Sequence, residues 1–271
     1  MKRIIGVILV AVLMLAIAAC GSKGGTPGKL IVGAANVPHA EILEKAKPLL
    51  KEKGITLVIK PFQDIVLPNK ALAEKEIDAN YFQHIPFLDK AVKDNGFELV
   101  SAGAVHIEPF GIYSRNYKKT EDVKEGATFL KSNNPSEFGR ILMLLESKGL
   151  IKLKDGVDKI TATDKDIAEN PKKIKFLPEI DPGLLPQAYK NNEADLIAIN
   201  TNYALDAGLD PQKDSLILES GNSPYANIIA VRKGDETRKE IVALMDVLKS
   251  EAIANFINEK YKGAVMPVTG K

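Results

Sequence analysis

Apolar residues fall in short runs that alternate with longer amphipathic stretches. Leu30-Ile31-Val32-Gly33 reads as a buried strand. After Pro38-His39, Leu43, Ala46 and Leu50 share one helical face, and Gly54 ends the helix. Ile55, Leu57 and Ile59 alternate as a second strand. A short helix over 69–76 leads to a third strand, which closes on Asn80-Tyr81-Phe82-Gln83-His84. Pro86 suits the first turn of the next helix, whose Leu88, Ala91 and Val92 face inward and which Gly96 stops. Strand and helix in alternation predict a doubly wound α/β sheet, and no period of 20–50 residues suggests a repeat array.

The pattern changes after residue 96. Runs over 99–107 and 110–114 are extended, split by Glu108-Pro109, and read as a long strand pair leading out of a first lobe. The charged stretch 118–126 is a candidate crossover. A second lobe follows, with strands at 127–130, 175–177 and 195–199 and helices carrying Ile141 to Leu145 and Leu184 to Tyr189. Residues 225–231 return as a strand to the first lobe, and 236–258 predict one long amphipathic helix. Expected boundaries are 29–117 plus 222–271 for lobe 1 and 118–221 for lobe 2.

The first nineteen residues belong to neither lobe. Lys2 and Arg3 precede an apolar run from Ile4 to Ile17, then Ala18-Ala19-Cys20. This is a secretory signal, too short for a stable span, and its end resembles the lipobox of bacterial lipoproteins. That resemblance implies a lipidated Cys20 at the new N-terminus, a tether over 20–28 and an anchor on the extracytoplasmic face of the cell membrane. Cys20 is the single cysteine, so no disulfide framework is expected. Losing Lys2 and Arg3 lowers the 37 basic residues to 35, matched by 35 acidic ones. A chain so balanced offers no footprint for nucleic acid.

Candidate chemistry gathers at the strand-to-helix corners. Tyr81, Phe82 and His84 offer flat faces where the third strand ends, the usual ligand position in open α/β sheets. Arg140 lies in the first turns of the helix after Pro135, where a guanidinium can grip a carboxylate; the plain alternative is a surface ion pair. Asn202 follows a buried strand and Asn227 sits inside an apolar one. An amide so placed caps a turn, supports a ladder or holds a polar ligand. Together these residues describe a pocket for a small zwitterion with an apolar side chain.

Pro38-His39-Ala40-Glu41-Ile42-Leu43, Asp78-Ala79-Asn80-Tyr81-Phe82-Gln83-His84, Gly139-Arg140, Glu169-Asn170-Pro171-Lys172, Asn200-Thr201-Asn202-Tyr203 and Ser223-Pro224-Tyr225-Ala226-Asn227 carry a closer likeness. In these stretches the chain resembles the methionine-binding lipoproteins of bacterial ABC importers (NlpA-type). The resemblance implies a type II periplasmic-binding-protein fold, two doubly wound α/β lobes joined by hinge strands. It also implies a monomeric carrier, free of cofactors, that delivers L- or D-methionine to a permease with its ATPase subunit. Tyr81, Phe82 and His84 would contact the thioether, Arg140 the carboxylate, and Asn202 and Asn227 the amino-acid end. Ile65 stands where the family usually has tyrosine, and Ser136-Glu137 replaces its Thr-Asn.

Two other classes compete. His39, His84 and His106, with Glu108 on the same strand face as His106, would suit zinc. A short methionine-containing peptide or another amino acid is a further ligand class. A hydrolase is not expected, since there is no Gly-x-Ser-x-Gly elbow.

Overall fold

The computed structural model describes residues 28–221 and 224–268. The expected signal, Cys20 and all of the tether but Gly28 lie outside them. The chain begins with β1 (Lys29–Ala34), α1 (Glu41–Glu52), β2 (Thr56–Pro61), α2 (Leu67–Ala73), β3 (Ala79–His84), α3 (Ile85–Asn95) and β4 (Leu99–Ile107). β1 pairs in parallel with both β2 and β3. α1 buries Ile42, Leu43, Ala46 and Leu50, the stripe expected from their spacing. α3 starts where the His84 side chain accepts from the Phe87 N–H at 3.2 Å, and it ends at Gly96 with φ 68°. That left-handed value makes glycine the natural stop.

β5 (Gly111–Tyr113), β6 (Thr128–Leu130), α4 (Phe138–Ser147), β7 (Lys152–Leu153), β8 (Ile167–Glu169), β9 (Lys175–Phe176), α5 (Leu185–Asn191), β10 (Leu196–Ile199), α6 (Thr201–Asp206) and β11 (Ser215–Leu218) follow. Four of these strands join β10 in a five-stranded sheet of order β11-β5-β10-β6-β9, and β7 pairs with β8 alone. β4 and β5 are therefore not the strand pair expected. They lie in different sheets, and the chain changes sheet between Ile107 and Gly111, earlier than position 117. Pro109 favours this separation, because it has no N–H to offer a ladder.

The chain returns through β12 (Ala226–Arg232), α7 (Lys239–Leu248), α8 (Glu251–Tyr261) and β13 (Met266–Pro267). β12 inserts between β3 and β4, antiparallel to both, giving a six-stranded order β13-β4-β12-β3-β1-β2. The first sheet is thus mixed rather than wholly parallel. The long terminal helix expected is two helices. Ser250 is extended at ψ 154°, and its hydroxyl donates to Val247 O at 2.6 Å. The break re-aims the chain so that Ile241 and Leu244 of α7 and Ile253 and Ile257 of α8 enter one core with β1 and β3.

The two sheets have separate cores. One gathers β1 residues with α1, α7 and α8; another gathers Phe129, Ile141, Leu145 and Leu196. In the second unit Gly139 lets α4 lie directly on a loop, for a Cβ there would collide with the carbonyl oxygens of Lys159 and Ile160. We expect Gly139→Ala to lower unfolding stability by about 1–3 kcal/mol, the usual cost of overpacking. Urea denaturation checks this. An unchanged midpoint would mean that the 159–160 loop does not lie against α4.

Candidate functional site

The corner at the end of β3 owes its shape to one extra residue. Ile228 pairs with Gln83, yet the next β12 residue, Ile229, pairs with Tyr81. Phe82 is left unpaired as a β-bulge, which reverses the alternation of side chains beyond it. Asn80 and Gln83 consequently share a face. Gln83 Nε2 donates to Asn80 Oδ1 at 2.9 Å and to Asn69 Oδ1 at 2.7 Å, and Asn69 Nδ2 returns a bond to Gln83 Oε1 at 2.9 Å. This buried amide trio stiffens the wall behind Phe82.

Tyr81 faces the other way and corrects one expectation. It is fully buried, its hydroxyl is hydrogen-bonded to His106 Nδ1, and its ring meets the edge of His39 at 4.7 Å. It does not line the cavity at the corner. It supports the residues that do.

That cavity is small, with about 50 Å3 open to the centre of a water-sized sphere. Phe82, His84 and Phe87 line it from the six-stranded unit, Arg140 and Asn202 from the five-stranded unit, and Asn227 from β12. Five of the six expected ligand-binding residues therefore meet around one space; Tyr81 is the exception. Ile65 also lines it and adds an apolar side chain. Glu108, Phe110 and Glu137 complete the charged and aromatic wall. Pattern reading had placed Glu108 only beside a metal and had missed Phe110 altogether.

Arg140 is not a surface ion pair. Its side chain is 4% exposed. Nε donates to the Glu219 carboxylate at 3.1 and 3.2 Å, and Nη2 donates to the same carboxylate and to Glu108 O at 2.8 Å. The guanidinium stacks over Tyr225 at 4.5 Å and Phe110 at 5.1 Å. Nη1 has no hydrogen-bond partner among the described residues, so it is the nitrogen left for a further acceptor. Glu137, which stands where the family usually has asparagine, is held within its own unit. It accepts from Ser132 Oγ at 2.8 Å and from Asn200 Nδ2, while burial raises its pKa.

Two buried histidines lie behind Glu108. His106 Nε2 lies 2.7 Å from Glu108 Oε1; His39 Nε2 lies 3.3 Å from the same oxygen and 3.0 Å from Asn227 Oδ1. Each Nε2 faces oxygen acceptors and so carries the proton. Burial lowers His39 to about 4 and His106 to about 3, so both are neutral donors. Burial raises Glu108, against the pull of His39, Arg140 and the Asn202 backbone N–H.

Donor atoms of His39, His106 and Glu108 all lie within 4.8 Å of one another, a set able to hold a metal ion. His84, expected with them, is apart and packs on Tyr225 instead. His39 Nδ1 is buried without a partner, so the bond that usually orients a ligating imidazole is missing.

His84 also reports on pH. Burial first, and then the Arg140 charge, lower it to about 3. In the unfolded chain a histidine titrates near about 6.5. The unfolded state thus binds more protons between those values, and the stability from neutral His84 is complete above them and drains as pH falls. His39 and His106 act in the same sense. We expect His84→Asn, which can still cap α3, to flatten part of the decline in unfolding free energy between about pH 7 and 4. Denaturant midpoints across that range check it; parallel curves for both proteins would refute a neutral buried His84.

With this geometry in view, the chain can be set beside known proteins. The family model for NlpA lipoproteins matches residues 30–269. The methionine-binding lipoprotein MetQ of Bacillus subtilis (strain 168) is 51% identical over 274 residues, covering 99% of this chain and 100% of that protein. A nutrient binding protein from Burkholderia cenocepacia, solved bound to methionine, superposes with a TM-score of 0.83 at 41% identity, covering 89% of this chain and 100% of that one. An ABC transporter periplasmic substrate-binding protein from Coxiella burnetii superposes at 0.82 with 38% identity, covering 88% and 100%. The type II periplasmic-binding-protein fold, two α/β units joined by crossing strands, is shared with these structures, and the chain belongs to the NlpA lipoprotein family.

Proposed function

We propose that the protein captures methionine outside the cytoplasm and delivers it to an ABC permease with its ATPase subunit. One observation carries this reading: one cavity joins a guanidinium, two amides and an apolar aromatic wall. Arg140 Nη1 and Asn227 take the carboxylate end. Asn202, in the first turn of α6, adds a polar group from the other side. Phe82, Phe87 and His84 enclose the thioether, whose sulfur gains from aromatic edges. Methionine is the ligand in the Burkholderia cenocepacia structure and in the name of the Bacillus subtilis relative. Both enantiomers present the same groups, and the reading covers either.

The magnitudes are adequate. Capture at about 1 μM corresponds to about −8 kcal/mol. A charge-assisted carboxylate contributes about 1.5–3 kcal/mol and a buried side chain of methionine's size about as much. The ammonium site must supply most of the rest against the cost of association.

In this proposal the two sheet units, which part between Ile107 and Gly111, close as lobes about the crossing segments. The ligand biases closure because only the closed form presents both walls to it. Cys20 carries the lipid that holds the monomeric protein on the extracytoplasmic face of the membrane. Among the described residues no helix is long and apolar enough to cross a membrane.

Arg140→Ala is a poor test, since it would also break the buried ion pair with Glu219, whose side chain is only 12% exposed. Asn227→Ala is cleaner. We expect calorimetric titration of ligand-stripped protein to show tight L-methionine binding, weakened about 10- to 100-fold by Asn227→Ala with cooperative unfolding retained. Equal affinity in the variant would remove Asn227 from the site.

A further inference from the structure

The cavity at the end of β3 is bordered by two further spaces, and among the described residues Ile65 alone lines all three. One space, between Phe62 and Tyr203, is a polar mouth that Asn36, Gln63, Asp64 and Asp206 face. The other is a groove between α2 and α3 on one side and residues 133–135 on the other. About 330 Å3 of the groove is open to the centre of a water-sized sphere, against about 50 Å3 in the cavity.

The groove suits an alkyl chain. Phe87, Ala91, Phe97 and Pro135 line it. Lys90 pairs with Asp94 at 2.7 Å, and Lys70 lies 3.9 Å from Glu74, so the lysine stems cover apolar surface while their heads stay in water.

The wall between cavity and groove is thin. Ile65, Phe87 and Asn134 belong to both linings. The last two are fixed in place. The Phe87 ring meets Phe82 edge-on at 5.7 Å and His84 at 6.4 Å. Asn134 Oδ1 accepts from the Ser136 N–H at 3.2 Å and from Ser136 Oγ at 2.8 Å. Ile65 is half-buried and belongs to none of the apolar cores. Its turn is held, since Asp64 Oδ1 accepts from the Val66 and Leu67 N–H groups, both at 2.8 Å. Val66 and Leu67 themselves point outward, 69% and 51% exposed. A rotamer change at Ile65 therefore opens the wall while the backbone stays where it is.

A chain that continues beyond the ligand's sulfur has two ways on, past Phe82 into the polar mouth or past Phe87 into the groove. The groove is the favourable one for an alkyl chain, because each methylene buried there is worth about fourfold in affinity. We propose that this groove is a side-chain subsite partitioned off by Ile65, and that it admits free amino acids with apolar side chains longer than methionine's, such as S-alkyl homocysteines up to butyl. This rests on the reading that the cavity holds methionine with its thioether against Phe87. Ile65 is the residue that sets the length: a methyl group leaves it in place, and a longer chain turns it aside.

The test is a titration series on ligand-stripped protein: L-methionine, then the S-ethyl, S-propyl and S-butyl homologues. S-butyl-L-homocysteine should bind within about tenfold of methionine. Ala91→Phe fills the groove from a position that does not border the cavity. It should leave methionine within about threefold of wild type and weaken the S-butyl homologue at least about 30-fold. Circular dichroism checks the fold of the variant, and the wild-type series stands without it. Ile65→Phe blocks the same passage from the wall and should lower the ratio of S-butyl to methionine affinity by about the same factor. Wild-type protein that binds methionine but loses more than about tenfold at butyl would overturn the subsite and leave the methionine reading in place. So would an Ala91→Phe variant with undiminished affinity for the S-butyl homologue. If methionine failed while the longer homologues bound and Ala91→Phe weakened them, the methionine reading would fall and the groove would stand. If none of the four bound, both would fall.

Discussion

A buried guanidinium has to be matched, and the centre of this protein is arranged around matching Arg140. The crossing segment 108–110 leaves the ladder of one sheet before joining the other, so its backbone groups need new partners. Arg140 and Glu219 provide them together. Arg140 Nη2 takes Glu108 O, the Glu219 carboxylate takes the Phe110 N–H at 3.1 Å, and the Glu219 N–H takes Phe110 O at 2.9 Å. Thr201 Oγ1 donates to Pro109 O. One ion pair thus fixes the crossing segment beside the cavity, and among the described residues Nη1 has no hydrogen-bond partner. Breaking such a buried pair from one side costs several kcal/mol, about 3–5 in comparable cases, so structure and binding are coupled at this residue.

The opposite wall obeys the same rule of buried polarity. Asn69, Asn80 and Gln83 satisfy one another behind Phe82, and Tyr81 satisfies His106 beneath it. The aromatic face that meets the cavity is therefore backed by hydrogen bonds rather than by soft apolar packing. A wall so supported can keep Phe82, His84 and Phe87 in place with no ligand between them. Preorganisation of this kind reduces the ordering cost of binding.

Much of this was legible from residue spacing. The stripe of α1, the caps of α3 and the run of β12 follow from periodicity and from glycine or proline at element ends. Tyr81 was misplaced because alternation predicts orientation only where pairing is regular, and the bulge at Phe82 is a property of β3 with β12, far apart in sequence. β4 and β5 read as a pair for a similar reason: two extended runs carry no mark of which sheet each joins. The terminal helix looked continuous because its apolar period survives the break at Ser250, where a side-chain bond competes with the helix. Arg140 was found, but its partner Glu219 was not, since a residue seventy-nine positions away announces itself only through folding.

The division of labour between the walls bears on how a ligand could drive the proposed closure. The apolar wall of Phe82, His84 and Phe87 belongs to the six-stranded unit; Arg140 and Asn202 belong to the five-stranded unit. A compound that offered only an apolar chain would engage one wall in either state. It would not distinguish open from closed, however tightly it bound, and equal affinity for two states shifts no population. A small amino acid with an apolar side chain touches both walls at once and gains contacts only when they approach. Glu108 lies between them, its carboxylate held from the six-stranded side by His106 and its carbonyl from the other by Arg140 Nη2.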